Sequence, residues 1–178
     1  MQALRRAQIT ARSFSTARYN MVKVGDKIPA GTFKIIRDGA PTDVPTSEVF
    51  DGKKVVVLGV PGAFTPTCSN SHLPGYIEKD AEIKNKGVDS IICLSVNDCF
   101  VMDAWSKDVG ATGKVDLYAD GGATWHKAAD LAQDLGDFGG PRAQRYSMVV
   151  ENGEIKSLNV EPAAADQCSF APNILKQL

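Results

Sequence analysis

No apolar run in this 178-residue chain is long enough to cross a bilayer, so the sequence holds no candidate membrane span. Charge of one sign is not in excess either. Twenty Lys and Arg face 21 Asp and Glu, a formal net charge of −1, and no basic face for nucleic acid emerges. Internal repeats and low-complexity tracts are missing, which excludes solenoids and linker-like modules. Cysteine is scarce, with four residues at positions 68, 93, 99 and 168. Their spacing contains no Cys-x-x-Cys pair, so a zinc site is not expected and the chemistry calls for no metal or organic cofactor. What remains is an ordinary globular composition, 43% hydrophobic and 23% charged, sufficient for one domain with a sizeable core.

Acid is absent from residues 1–20, which carry Arg5, Arg6, Arg12 and Arg18 with Ser13, Ser15 and Thr16. That is the composition of a mitochondrial transit peptide, the alternative being a disordered basic tail. Without it, 16 basic residues face 21 acidic ones over 21–178, a mildly acidic domain. A start at Met21 would give a second product without the segment, cytoplasmic or peroxisomal. The ending Lys176-Gln177-Leu178 is a weak relative of the Ser-Lys-Leu signal.

Residues 55–68 organise the rest. Val55 to Val60 is continuously apolar and β-branched, as in a strand buried on both faces. It runs into the turn signal Pro61-Gly62, then Thr65-Pro66, an N-cap followed by proline at the first helical position. Cys68 thereby falls in the first helical turn, where unpartnered N–H groups and the helix dipole favour anions. The competing reading of Cys68 is a small buried core residue.

Elsewhere, Val24–Pro29 opens the domain, Thr32–Arg37 alternates as a strand before Asp38-Gly39, and Thr42–Phe50 is a strand or a short helical turn. A helix is expected from Thr65 towards Lys86, kinked at Pro74-Gly75. Ser90–Val96 is a second buried strand, Asn97 and Asp98 cap a helix through Val109, and Val115–Ala119 is a third strand. Another helix is expected over Thr124–Leu135. Tyr146–Val150 and Glu154–Val160 flank Asn152-Gly153, a type I′ hairpin signal. Strand–helix–strand units that finish in an antiparallel hairpin describe an α/β, thioredoxin-like fold, a mixed central β-sheet flanked by helices.

The stretch Val60-Pro-Gly-Ala-Phe-Thr-Pro-Thr-Cys-Ser69 resembles the active-site stretch of peroxiredoxins of the type-5 (type II) subfamily. It carries their Pro-x-x-x-Thr-x-x-Cys pattern as Pro61, Thr65 and Cys68. His72-Leu-Pro-Gly-Tyr76, Cys93-Leu-Ser-Val-Asn-Asp98, Arg145-Tyr-Ser-Met-Val-Val150, Asn159-Val-Glu-Pro162 and Cys168-Ser-Phe-Ala-Pro-Asn-Ile174 are similar too, so the likeness spans about Val22 to Leu178. The resemblance implies a thiol peroxidase acting on hydrogen peroxide and alkyl hydroperoxides. Cys68 would be the peroxidatic thiol, Arg145 the active-site cation, Thr65 a hydroxyl that binds peroxide or orients sulfur, and Pro61 a shield against water. Cys168 would resolve the sulfenic acid to a disulfide that thioredoxin reduces, with glutaredoxin or glutathione as other donors, in a monomer or homodimer.

From the residues alone, Cys93 is an inert strand thiol, although some plant members resolve through a cysteine at this place. Cys99 opens a helix and has no assigned role. Cys168, in the small-residue loop Ala163-Ala-Ala-Asp-Gln167, reads as a mobile exposed thiol. His72 stands one helical turn beyond Cys68 and reads as a hydrogen-bonding residue, and His126 as a helix surface residue. Three rivals stay open: a peroxide sensor that passes its disulfide to a partner, a hydrolase built on Cys68 and His72, and a non-catalytic scaffold.

Overall fold

A computed structural model describes residues 21–162 and 167–178. The reading of residues 1–20 as a targeting segment, and most of the loop before Cys168, lie outside them.

Strand β3 (Lys54–Val60) is the inner member of the sheet, and its apolar run has the cause expected of it. It pairs in parallel with β4 (Ser90–Ser95) on one side and antiparallel with β8 (Tyr146–Glu151) on the other, so both edges are hydrogen-bonded. Outside β4 lies β5 (Asp116–Ala119), again parallel, followed by β1 (Thr32–Arg37) and β2 (Ala40–Pro45). Beyond β8, β9 (Glu154–Val160) completes a seven-stranded mixed sheet in the order β2-β1-β5-β4-β3-β8-β9. The hairpin signal holds, with Asn152 and Gly153 both at positive φ (48° and 71°), as a type I′ turn requires.

Alternation along β3 divides the core in two. Val56, Leu58 and Val60 face one layer with α2 (Leu73–Glu78), α3 (Asp80–Lys84), α4 (Cys99–Asp108) and α6 (Ala171–Leu175). Val55 and Val57 face the other with α1 (Thr46–Phe50) and α5 (Thr124–Ala128). The thioredoxin-like mixed sheet flanked by helices is therefore present.

Three local expectations change. The stretch from Thr42 is both things in turn: β2 ends at Pro45, whose extended backbone (φ −65°, ψ 148°) leads directly into α1. The helix expected over Thr124–Leu135 stops at Ala128, because Asp130 adopts φ 54° and Leu131 N–H returns to the His126 carbonyl, a C-terminal cap usually built with glycine. The chain then forms a small ribbon of β6 (Ala132–Asp134) and β7 (Pro141–Ala143) around a 3-10 turn at Gly136–Phe138. His126 is not a surface residue but fully buried. Its Nδ1–H donates to Asp120 Oδ2 at 2.7 Å, and Nε2 receives the Tyr146 hydroxyl at 3.2 Å. That tautomer follows from the ionised Asp120 partner, which can only accept. Burial pushes the Asp120 carboxyl up, but the hydrogen bonds from His126 outweigh it and hold the group below its ordinary value.

The Tyr146 ring lies where a side chain on Gly59 would stand. A Cβ built at Gly59 would meet the ring at 2.0 Å, and the two residues are partners in the β3–β8 ladder. Gly59→Ala should therefore displace Tyr146 or open the ladder, costing about 2–3 kcal/mol or more. Urea unfolding followed by circular dichroism checks this, with Val57→Ala as a cavity-type control of the same strand.

Candidate active site

The turn after β3 is held from β4. Ser95 Oγ lies 2.7 Å from Asn97 Oδ1 and donates there, while Ala63 N–H donates to the same oxygen at 3.0 Å. Phe64 accepts a positive φ of 59° within this turn. Thr65 Oγ1–H donates to the Gly62 carbonyl at 2.8 Å, which closes the loop and leaves the hydroxyl's lone pairs for an incoming donor. Helical structure begins at Pro66, and Ser69 N–H bonds to the Thr65 carbonyl.

Cys68–His72 is then a π-turn instead of the expected α-turn, closed by Leu73 N–H on the Cys68 carbonyl. Its cause is Pro74. Proline has no N–H for the Asn70 carbonyl, so the regular ladder is interrupted there and a wider turn is accommodated. The long helix continues as α2, breaks at Lys79 (φ −99°, ψ 11°) and resumes as α3.

Arg145 stands between β7 and β8, at the head of the latter as expected. Its Nη2–H donates to Cys68 Sγ at 3.4 Å and its Nη1–H to His72 Nδ1 at 3.0 Å. A guanidinium cannot accept, so His72 carries its proton on Nε2, 3.2 Å from the Ser169 carbonyl. Burial and then the Arg145 charge lower the His72 pKa to about 4, which keeps the ring neutral at neutral pH. The chain of contacts continues. Ser169 N–H and Oγ–H both donate to Glu161 Oε1 at 2.7 Å, and the Tyr76 hydroxyl donates to the Ser169 carbonyl at 2.5 Å. Burial raises the Glu161 pKa, yet hydrogen bonds from Ser169 and Cys168 prevail and keep it below its ordinary value.

Pro61, Thr65, Arg142 and Arg145 line one cavity of about 460 Å³, with Leu135 and Phe138 of the β6–β7 ribbon forming its outer wall. Arg145 connects this cavity to the fully buried sulfur of Cys68. All four cysteines are thiols. Cys93 is fully buried in β4 and belongs to the same core layer as Cys68. Burial, reinforced by Cys68 and opposed by Arg145, pushes the Cys93 thiol well up. Cys99 opens α4 as expected and is buried. Cys168 is half-buried instead of exposed, with its thiol 3.7 Å from the Val160 carbonyl. The structure thus joins Cys68, Arg145 and His72 directly and places Cys168 one residue from the Ser169 end of their chain.

A Redoxin family model matches residues 23–175. A peroxiredoxin (Prx3) from Vibrio vulnificus, solved reduced with hydrogen peroxide, is 44% identical with a TM-score of 0.85, over 88% of this chain and 98% of its own. This chain belongs to the peroxiredoxin family. It is a thiol peroxidase, an oxidoreductase that reduces peroxides, of a family served by thioredoxin-type reductants. Peroxiredoxin-2E of Arabidopsis thaliana, named chloroplastic, is 41% identical over 97% of this chain and 76% of its own length. Peroxiredoxin-2E-2 of Oryza sativa subsp. japonica, also named chloroplastic, is 44% identical over 88% and 72%. Likeness to peroxiredoxin 5 of Alvinella pompejana is more distant, 31% with a TM-score of 0.78 over 88% and 97%. The family reading therefore stands more broadly than the type-5 branch expected from the motifs. The mitochondrial address, with its cytoplasmic or peroxisomal variant, is overturned by the chloroplastic names of these two plant relatives.

Sequence reasoning gave no site role to Tyr76, Asn97, Glu161 and Ser169, although each stands within a quoted family-like segment, and it missed Arg142. For Arg142 one signal was available: Phe138 to Val150 contains two arginines and no acid.

Neutral His72 has a stability consequence. Its pKa is lower folded than unfolded, so the unfolded chain binds a proton that the fold refuses. The contribution is present above pH about 6.5 and is lost as pH falls towards 4. Wild type should lose stability across that window by about 1.4 kcal/mol more per pH unit than His72→Gln, whose amide can still accept from Arg145 and donate to Ser169. Urea unfolding at several pH values measures the difference in slope.

Proposed function

We propose that Cys68 is the peroxidatic residue of this peroxidase, and the observation that supports it is the Arg145 guanidinium at 3.4 Å from its sulfur. A fixed cation there faces the sulfur and offers further N–H donors to a peroxide. The thiolate attacks one peroxide oxygen. The O–O bond breaks, an S–O bond forms, and the departing oxygen takes a proton to leave as water or an alcohol. Sulfur is oxidised by two electrons to sulfenic acid. Thr65 accepts a hydrogen bond from the peroxide while its own hydrogen is held by Gly62. Pro61 contributes cavity wall with no N–H to attract water. His72 orients Arg145 and is not a base, since its only free-pair nitrogen is occupied by that guanidinium. This disfavours a hydrolase built on Cys68 and His72.

For the second half we assign Cys168 as the resolving thiol. It displaces hydroxide from the sulfenic sulfur, which leaves as water, and the resulting disulfide is reduced by the two thiols of thioredoxin, with glutaredoxin or glutathione as other donors. Cys93 is the alternative. It is fixed in β4 between Leu58 of β3 and Leu117 of β5, so moving it would break both flanking ladders, whereas Cys168 lies in a turn. Either a monomer or a homodimer can carry this chemistry. A plastid address is supported by the two plant names, and a fluorescent fusion of the full chain that co-localised with a mitochondrial marker instead would refute it.

Cys68→Ser should abolish peroxide consumption coupled to thioredoxin and its reductase. Arg145→Ala should slow the first oxidation by at least roughly a hundredfold, and Arg145→Lys should restore only some of the rate. After one equivalent of peroxide, peptide mapping should find Cys68 joined to Cys168. Cys168→Ser should stop turnover while Cys68 still oxidises, and Cys93→Ser should turn over. A main Cys68–Cys93 product would move resolution to Cys93.

A further inference from the structure

The cavity beside Cys68 holds two guanidiniums, and the peroxidase reaction uses one. Arg142 is the other. Its Nε–H donates to the Gly139 carbonyl at 3.1 Å and its Nη1–H to the Val96 carbonyl at 3.0 Å. These bonds fix the plane in the cavity lining, between the Gly62 turn and the Gly139 turn. A Cβ built at Gly62 would lie 3.7 Å from Nη1, and one at Gly139 would lie 3.5 Å from Nη2. Both bonds go to neutral carbonyls, so the charge is not cancelled. Among the described residues neither Arg142 nor Arg145 pairs with a carboxylate, and no Asp or Glu lines the cavity. Asp134 and Asp137 belong to the same ribbon but lie off its wall, and Asp134 accepts from Gly136 N–H.

The opposite features of the wall are apolar. Leu135 and Phe138 line the cavity, and Phe138 is 86% exposed, an aromatic ring with no core to fill. A volume of about 460 Å³ is far more than hydrogen peroxide fills. An apolar wall, an unneutralised and rigid cation, and surplus room specify a larger ligand with an apolar body and an anionic group.

We propose that this site takes organic hydroperoxides whose apolar portion carries a carboxylate, with Arg142 selecting for the charge and Phe138 and Leu135 contacting the apolar portion. This rests on the peroxidase reading of the same site. The reaction is the one already given: the O–O bond breaks at Cys68, and the carboxylate stays on the alcohol that leaves.

The test compares kcat/KM for cumene hydroperoxide bearing a para-carboxylate and for its methyl ester, read as oxidation of Cys68. Wild type should prefer the acid by roughly tenfold, the scale of one charge-assisted hydrogen bond. That preference should shrink as salt is raised. Arg142→Gln should bring the acid-to-ester ratio close to one, and Arg142→Lys should keep some of it. The ratio cancels any general loss of activity, and the salt series on wild type decides the matter should Arg142→Gln fail to fold. Phe138→Ala, at an exposed position, should lower both organic rates relative to hydrogen peroxide. Equal rates on acid and ester, a salt-independent preference, or an unchanged ratio in Arg142→Gln would each overturn the proposal and leave the peroxidase standing. No consumption of any peroxide would overturn both.

Discussion

One guanidinium holds the site together. Arg145 directs one donor to the Cys68 sulfur and another to His72, and both partners come from the same π-turn. A cation near a buried thiol costs desolvation unless its donors are met, and here they are met by a sulfur, a neutral imidazole and an open cavity. The neutrality of His72 belongs to the same device. A protonated ring would offer a hydrogen where Arg145 also presents one, and two donors facing each other in a buried space would separate. Burial and the guanidinium push the ring pKa in the direction that avoids this.

That geometry is only as fixed as the strand that carries Arg145. β8 begins at the next residue, Tyr146, whose ring fills the space left by Gly59 and whose hydroxyl is bonded to His126. His126 is bonded in turn to Asp120 at the end of β5. Each member of this buried series is satisfied, which is why two polar side chains can be fully enclosed in an apolar layer without penalty. The sheet thus sets the head of β8 from behind while the π-turn meets it from the front.

Much of this could be read from the chain. The apolar run of β3, the cysteine after Thr65-Pro66, the Asp98 cap that accepts from Val101 N–H, the Asn152-Gly153 hairpin and Arg145 at a strand head are all local signals, and each is realised locally. What escaped reading depends on partners distant in sequence or on unusual backbone. His126 looks like a surface residue until Asp120 and Tyr146 close on it. The helix at Thr124 looks long because nothing in a periodicity count shows that Asp130 will take the left-handed conformation. Arg142 looks like one more surface cation because the carbonyls that fix it belong to Val96 and Gly139. A backbone acceptor leaves no signature in side-chain identity.

The segment that holds His72 from the far side is also the one that carries Cys168. Ser169 receives the His72 Nε2–H on its carbonyl, and its amide and hydroxyl are tied to Glu161. On the proposed assignment, Cys168 must leave the Val160 carbonyl and travel to a sulfur buried behind Arg145. Ser169 is its covalent neighbour and cannot stay in place during that movement. The hydrogen bonds to His72 and Tyr76 are then lost together, and the guanidinium loses the ring that orients it. Resolution by Cys168 would therefore dismantle the arrangement around the Cys68 thiol, and reduction of the disulfide would restore it. On that assignment, two half-reactions that need different geometries fall to one short run of residues, Cys168 for the second and Ser169 for the first.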